Sequence, residues 1–230
     1  MLRNLSDDLL AALLPARCPG CGRRAEPVCE PCVASMRVAP PGRHLDGVSW
    51  SVAVFSYEGV ARELVARVKY RNERVAVRWL AARLARACAT APGAVEVVTW
   101  VPASARRRSA RGIDHGALLA RAVAADLGRV PERLLLRDDG PPQTGRAYED
   151  RRVGPALRGA GSIAGRSVLV VDDVTTTGAT LVAAARILRA CGARDVQAAT
   201  IARTPRPSGG SRDAAYTPES QHRCQAPLSQ

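Results

Sequence analysis

Aromatic side chains are scarce in this sequence, which holds three Trp, four Tyr and one Phe among its 230 residues. The hydrophobic core must therefore consist mainly of Ala, Val and Leu. Lysine is scarcer still, because Lys69 is the only one and every other basic residue except histidine is an arginine. No apolar run reaches the length of a membrane span, and Leu9 to Leu14 is too short for a signal peptide. We therefore expect a cytoplasmic protein without membrane insertion.

The composition is otherwise that of a globular protein. The 230 residues are enough for one domain with a sizeable core and a small appendage. Hydrophobic residues make up 47% of the chain, which is typical of a globular protein. The net charge is +13 and the pI is about 10.6. Such a charge favours polyanionic partners, either nucleic acid or a substrate with several phosphates. The alternative is an arginine-rich genome, whose proteins are basic without binding nucleic acid.

Four of the seven cysteines are paired in two Cys-x-x-Cys motifs, formed by Cys18 with Cys21 and by Cys29 with Cys32. Four thiolates are the number that a closed tetrahedral structural zinc site needs. Redox dithiols and two disulfides are the competing interpretations. A redox motif would normally lie at a strand–helix junction, and the odd number of cysteines argues against a disulfide framework. We therefore predict a structural Zn²⁺ site.

Composition also divides the chain into four predicted segments. Residues 1–36 would form an N-terminal helix and the zinc-knuckle module, and the Pro/Gly-rich residues 37–47 a linker. Residues 48–203 would form the main domain, in which strand patterns alternate with helix patterns. Residues 204–230 are rich in Pro, Ser, Gly and Gln, and are predicted to be a disordered tail.

The most informative stretch is Ser167 to Thr180. Its apolar run from Val168 to Val171 predicts a strand buried on both faces, as in a parallel sheet. Asp172 and Asp173 follow at the carboxyl end of that run, and then a polar loop. A helix with an apolar stripe is predicted to begin near Thr180. The sequence thus predicts an α/β protein with a mostly parallel sheet flanked by helices.

The polar loop, which follows Val174, reads Thr175, Thr176, Thr177 and Gly178. A strand, a tight loop and a helix N-terminus together form an anion site, because backbone N–H groups converge there and the helix dipole adds positive charge. A 5′-phosphate would fit that point, and the two carboxylates before it could accept hydrogen bonds from ribose hydroxyls or hold a divalent cation. The alternative is structural, since paired aspartates before a turn often form an Asx turn and a helix cap.

Three other segments carry candidate residues. The loop after Pro102 contains Arg106 to Arg108, which could bind a pyrophosphate by bidentate hydrogen bonds. The long segment from Asp138 to Arg158 lacks periodicity and could form a lid. The basic turn from Lys69 to Arg74 is either a solvated connector or a phosphate or nucleic-acid contact. We expect His115 to lie on the surface or to take part in helix capping. The alternative is that His115 acts as a base.

The combination of these motifs resembles the ComF family of bacterial phosphoribosyltransferase-like proteins, which belongs to the type I phosphoribosyltransferase superfamily. The resemblance runs from about Leu13 to Arg203. The motifs that carry it are the four cysteines, Tyr57-Glu-Gly59, Val68-Lys69-Tyr70, Arg111-Gly112, Pro142-Gln143-Thr144-Gly145 and Val171 to Gly178.

The resemblance implies a type I phosphoribosyltransferase-like fold that binds 5-phosphoribosyl 1-pyrophosphate (PRPP) with Mg²⁺. It implies that Asp172 and Asp173 are catalytic carboxylates that hold the ribose. The further PRPP-binding residues would be Val174, Thr175, Thr176, Thr177, Gly178, Pro102 and Arg108, and the hood loop would contain Gln143, Thr144 and Gly145.

Members of the family are associated with DNA uptake in natural competence. Two classes of function therefore stand side by side. The first is a phosphoribosyltransferase whose acceptor is unknown. The second is a non-catalytic module that senses PRPP or binds single-stranded DNA, although few aromatic residues are available to stack on bases.

Overall fold

A five-stranded sheet forms the centre of the computed structural model, which describes residues 17–25, 27–42, 44–71, 74–105, 109, 112–137, 156–161 and 163–205. Its strands are β1 (Trp50–Ser56), β2 (Val97–Trp100), β3 (Val130–Pro131), β6 (Ser167–Thr175) and β7 (Asp195–Arg203). The spatial order is β1-β7-β6-β2-β3, and all neighbouring pairs are parallel. Strand β6 therefore lies in the middle of the sheet.

Five helices are fully bounded in the described part of the chain. They are α1 (Glu30–Ala34), α2 (Gly59–Arg71), α3 (Arg74–Cys88), α4 (His115–Asp126) and α5 (Ala179–Ala190). Each of the four longer helices has apolar residues at helical spacing, so one side of each is buried against the sheet. None of the helices in this part of the chain combines the length and apolar character that a membrane span requires.

The two faces of the sheet carry separate hydrophobic cores. Leu169 and Val171 of β6 face helices α2, α3 and α4, whereas Val168 and Val170 face helix α5. All four side chains are at most 1% exposed. The continuous apolar run of β6 thus follows from burial on both faces, as in other parallel sheets. The predicted fold class, a parallel sheet flanked by helices, is confirmed.

A second, two-stranded sheet pairs β4 (Leu135–Arg137) with β5 (Leu157–Gly159) in antiparallel fashion. The sequence predicts a short strand from Arg133 to Arg137, and β4 lies within it. Strand β5 corrects the prediction of an aperiodic segment from Asp138 to Arg158, because Leu157 and Arg158 belong to this strand. Leu135 and Leu157 pack against the core on the α5 side of the sheet, which explains why these short strands form there.

The predicted segment boundaries stay predictions. The N-terminal helix expected at residues 5–14, residues 206–230 of the predicted tail and most of the predicted lid lie outside the described residues. Within the expected linker, Leu45 is 8% exposed and packs against the core on the α5 side, and Val38 bridges to Phe55 of β1. This stretch therefore makes ordered contacts with the main sheet.

Candidate functional site

The acidic pair lies inside strand β6 rather than after it. Asp172 and Asp173 are both partly exposed, and the strand continues to Thr175. Asp172 lies opposite Thr200 of β7, so hydrogen bonding to the neighbouring strand continues past the apolar run. The Asp172 carboxylate accepts a hydrogen bond from the Asp173 backbone N–H at 2.8 Å. Two carboxylates thus emerge at the carboxyl end of a central parallel strand, the usual location of ligand sites in open α/β sheets.

The loop after β6 turns sharply into helix α5 at Gly178. This residue is the N-cap and adopts a left-handed conformation with φ 86°. A Cβ atom at this position would also clash with the Leu45 side chain. Glycine is therefore required here both by the backbone and by the close packing. Helix α5 begins at Ala179, one residue before the expected position, and the Thr177 hydroxyl accepts from the Ala179 N–H at 3.3 Å.

A small concavity opens above this turn. Its lining combines loop residues with one side chain from the expected linker and one from β7: Thr175, Thr176, Thr177, Gly178, Leu45 and Arg203. Three threonines, the N-cap of α5 and an arginine thus line the same concavity, which is a set of residues suited to an anion. The arrangement agrees with the anion site predicted from the sequence, while the role of each residue in binding stays a prediction.

Arg203 is a member of this concavity that the sequence analysis missed. It is only 5% exposed, lies opposite Thr175 in the β6–β7 register and donates from Nη1 to the Pro40 carbonyl at 2.7 Å. The sequence predicts this strand from Val196 to Ala202, so the predicted strand ends one residue before Arg203. A basic residue directly after an apolar strand in an α/β sequence is the signal that points to it, because the carboxyl end of every parallel strand faces the same edge.

Lys69 is the second residue that the structure adds to the site. Its Nζ atom lies 2.9 Å from Asp173 Oδ2, and the two side chains are 19% and 35% exposed. The basic turn around Lys69 was considered as a connector or as a phosphate or nucleic-acid contact. In the structure, Lys69 lies near the end of helix α2 and forms a salt bridge with Asp173.

Strand β2 brings a second loop to the same edge of the sheet. Trp100 of β2 lies opposite Val171, and Pro102 follows as a buried residue. The sequence predicts Asp114 as a helix N-cap, and it is the N-cap of α4; its carboxylate also accepts a hydrogen bond from Trp100 Nε1 at 3.3 Å. His115, the first residue of α4, is buried at 7% exposure, so the expectation of a surface position is wrong, while a role in capping stays a prediction.

Other predicted site residues fall outside the described part of the chain. These are Arg108 on the pyrophosphate side, together with Gln143, Thr144 and Gly145 of the hood loop. Their proposed roles stay predictions.

The four cysteines of the two Cys-x-x-Cys motifs form one compact cluster. Their Sγ atoms all lie within 4.8 Å of one another, and Cys21 Sγ is 3.4 Å from Cys29 Sγ. These spacings are close to those of four sulfurs around one ion at metal–sulfur distances of about 2.3 Å. The six cysteines in the described residues are free thiols, so two disulfides do not form in this structure. The cluster could therefore hold a metal ion.

The electrostatics of the cluster fit the same conclusion. Burial raises the pKa of the Cys18 thiol, but backbone hydrogen bonds from Cys29, Cys21 and Gly20 outweigh it and bring that pKa down to about 6. Burial and the neighbouring sulfurs raise the pKa of the Cys32 thiol. One thiol thus ionises readily while its neighbour resists ionisation. A bound cation removes this conflict because it stabilises all four thiolates together.

The cysteine cluster is packed onto helix α2. Cys18 and Cys32 belong to the same hydrophobic core as Leu64 and Val68 of that helix. A Cβ atom at Gly20 would lie 2.8 Å from both Cys32 Sγ and Val60 Cγ2, so the first knuckle touches the helix directly. The helix that carries Lys69 is therefore in contact with the cysteine cluster.

Comparison with known proteins identifies the class to which this geometry corresponds. Residues 114–224, just under half of the chain, match the family model of the phosphoribosyl transferase domain. This match includes the acidic pair, the threonine loop and helix α5. The second half of the chain thus carries a domain of the phosphoribosyltransferase type.

Adenine phosphoribosyltransferases are among the relatives found. The enzyme of Mycobacterium marinum is 40% identical over 93 residues, which cover 38% of this chain and 50% of the relative. That of Mycolicibacterium smegmatis is 40% identical over 97 residues, covering 39% of this chain and 53% of the relative. The chain spans about half the length of these curated relatives.

Solved structures show a weaker likeness. A glutamine PRPP amidotransferase from B. subtilis is 22% identical, with a TM-score of 0.43. The matched part covers 59% of this chain and 30% of the amidotransferase chain. A purine phosphoribosyltransferase from Pyrococcus horikoshii is 20% identical, with a TM-score of 0.37. The matched part covers 56% of this chain and 83% of the transferase chain. At these scores the likeness adds nothing to the fold described above.

Proposed function

We propose that this protein binds PRPP with Mg²⁺ at the carboxyl end of strand β6. The observation that carries the proposal is the acidic pair followed by the threonine loop and the left-handed Gly178 at the start of α5. In the proposed complex, Thr175 to Gly178 bind the 5′-phosphate through N–H and hydroxyl donors. Asp172 and Asp173 accept hydrogen bonds from the ribose hydroxyls.

The buried Arg203 supports an anionic ligand at this point. A buried arginine, 5% exposed, beside a helix N-terminus contributes positive potential to the concavity that it lines. The Pro102 loop and Arg108 would bind the pyrophosphate from the neighbouring strand β2. The Mg²⁺ would neutralise the pyrophosphate charge, and the hood loop at Gln143, Thr144 and Gly145 would cover the ligand.

We further propose that the metal of the cysteine cluster is zinc with a structural role. Four thiolate donors in a closed set leave no position for a substrate, which is typical of structural zinc sites. Together with the PRPP motif, this module favours the ComF family and its role in DNA uptake within the cytoplasm.

Transfer of the phosphoribosyl group to an acceptor is the activity that fits such a site. The acceptor would displace pyrophosphate from C1 of the ribose, and the pyrophosphate would leave with the negative charge stabilised by arginine and loop donors. Adenine is the first acceptor to test, because relatives that are 40% identical over the matched part are named adenine phosphoribosyltransferases.

The second candidate function is that of a binding module for PRPP or single-stranded DNA without turnover. The net charge of +13 is the observation that favours it. Calorimetric titration with PRPP and Mg²⁺, with a parallel assay for released pyrophosphate, separates the two. Binding with acceptor-dependent release supports the enzyme, binding without release supports the module, and absence of binding contradicts the PRPP site.

A further inference from the structure

We infer that Lys69 is a positioning residue that holds the Asp173 carboxylate in place for the ribose of PRPP. The inference rests on the proposed function, since it concerns the same site. Lys69 is the only lysine of the chain and comes from helix α2, far from the acidic pair in sequence. The resemblance to the ComF family includes Val68-Lys69-Tyr70 but implies no specific role for Lys69.

The contact between Lys69 and Asp173 is close and partly shielded from water. The Nζ–Oδ2 distance is 2.9 Å, within the range of a charge-assisted hydrogen bond. The lysine side chain is only 19% exposed and the aspartate 35% exposed. Salt therefore screens this pair less than a fully exposed surface ion pair.

The two aspartates are held by different donors. The backbone N–H of Asp173 binds Oδ1 of Asp172, whereas the Lys69 ammonium binds Oδ2 of Asp173. Two adjacent carboxylates repel each other, and one ammonium group at this distance offsets part of that repulsion. Lys69 thus stabilises both the charge and the orientation of the acidic pair before a ligand arrives.

The pairing leaves Asp173 able to act on a ligand. A carboxylate has about four lone-pair positions, so Asp173 can accept from Lys69 and from a ribose hydroxyl at the same time. The ammonium is a compact point charge, which suits a crowded site better than the planar guanidinium of arginine. This explains why a lysine stands here in a chain whose other basic residues are almost all arginines.

Helix α2 is anchored well enough to present this side chain. Leu64 and Val68 are buried in the core, and Arg67 Nη1 donates to the Arg17 carbonyl at 2.8 Å. Lys69 follows directly after these contacts. Its ammonium group is therefore placed by a fixed helix rather than by a free loop.

A double-mutant cycle tests the inference. We expect Lys69→Met to weaken PRPP binding about tenfold and Lys69→Arg to restore only part of the loss, because the positive charge returns but the planar guanidinium fits the site less well. In an Asp173→Asn background, Lys69→Met should cost little more, since its effect acts through Asp173. Arg62→Met, which removes an exposed cation from the same helix, is the matched control and should bind as the wild type does.

The single lysine also allows a direct readout. Labelling an untagged chain with ¹³C,¹⁵N-lysine gives one side-chain NMR signal, which Asp173→Asn should shift in the free protein and PRPP with Mg²⁺ should shift in the wild type. If the lysine signal is the same in Asp173→Asn as in the wild type, the inference is overturned, irrespective of any shift caused by PRPP. Wild-type binding that Lys69→Met leaves intact would overturn the inference alone, whereas failure of the wild type to bind would overturn the proposed function as well.

Discussion

Gly178 is the residue on which the geometry of the anion site depends. Its positive φ gives the turn from β6 into α5, and its missing side chain lets Leu45 pack against the loop. Both requirements act on one atom, the Cβ that glycine lacks. The loop N–H groups and the helix N-terminus converge only if this turn is tight.

Gly178→Ala should therefore destabilise the fold and abolish anion binding together. The left-handed conformation alone costs a non-glycine residue roughly 1–2 kcal/mol, and displacement of Leu45 adds to it. Urea unfolding and PRPP titration would measure the two effects.

Gly128 provides the matched control for this substitution. It also has a positive φ, 62°, but a Cβ atom there would have no other atom within 4 Å. Gly128→Ala should show only the backbone cost and should bind PRPP normally. Equal stability losses at the two positions would contradict the role assigned to the Leu45 contact.

Cys88 gives a test of burial at the end of helix α3. Burial raises the pKa of its thiol from 9.0 to about 12. The folded state therefore keeps the proton while the unfolded chain releases it above about pH 9, so the stabilising effect is present below pH 9 and is lost as the pH rises towards 12.

We expect iodoacetamide to modify Cys88 slowly in the folded protein between pH 7 and 10, because the thiolate is the reactive form. Peptide mass spectrometry after timed quenching would follow the reaction, with the partly exposed Cys191 as an internal comparison. Rapid modification of Cys88 under folding conditions would show that the thiol is not buried as described.

Much of the site at the level of single residues could be predicted from sequence, but its long-range partners could not. The acids, the threonines and Gly178 are neighbours in the chain, so their spacing alone indicates the loop. Lys69 and Arg203 reach the site only through tertiary packing, from helix α2 and strand β7. A basic residue at the end of an apolar strand is a local signal for Arg203, whereas no local pattern encodes the contact between Lys69 and Asp173.

The same distinction holds for whole elements. Strand β6 and helix α5 were predicted because their apolar patterns are long and regular, although the polar end of β6 was taken for a loop. Strand β3 was missed, since it has only two exposed residues and ends in Pro131. Such a strand lies at the sheet edge, where proline is tolerated and no burial pattern develops.

Helix α2 links the two predicted functional parts of the chain. One side of it packs against the cysteine cluster, and Lys69 near its end contacts the acidic pair. A change at the cluster should therefore reach the ligand site through the position of this helix.

Replacing Cys29 and Cys32 by Ser should release the metal and lower the Tm, because metal binding and folding of such modules are coupled. It should also weaken PRPP binding severalfold through α2. Metal analysis of protein purified without chelator, followed by thermal unfolding and titration, would measure all three effects. Cys191→Ser is the control, and a metal-free wild type would contradict the zinc proposal.

At the scale of the whole molecule, charge is the dominant property. A net charge of +13 attracts polyanions irrespective of sequence, and the shortage of aromatic residues limits stacking on bases.

We expect binding to single-stranded DNA to weaken steeply with salt and to show little base preference. Fluorescence anisotropy with oligonucleotides of different composition, measured across a salt series, gives the slope of log K against log salt. Tight binding that is insensitive to salt would contradict a charge-driven interaction.

The most direct test of the PRPP site is calorimetry on the double variant Asp172→Asn with Asp173→Asn. Both acids are partly exposed at the end of β6, and in the proposed complex they bind the ligand rather than support the core. The variant should therefore keep the wild-type circular dichroism spectrum and lose PRPP binding in the presence of Mg²⁺. Asp126→Asn, at an exposed acid on α4, should bind as the wild type does. Unchanged affinity in the folded double variant would show that PRPP, if it binds, binds elsewhere.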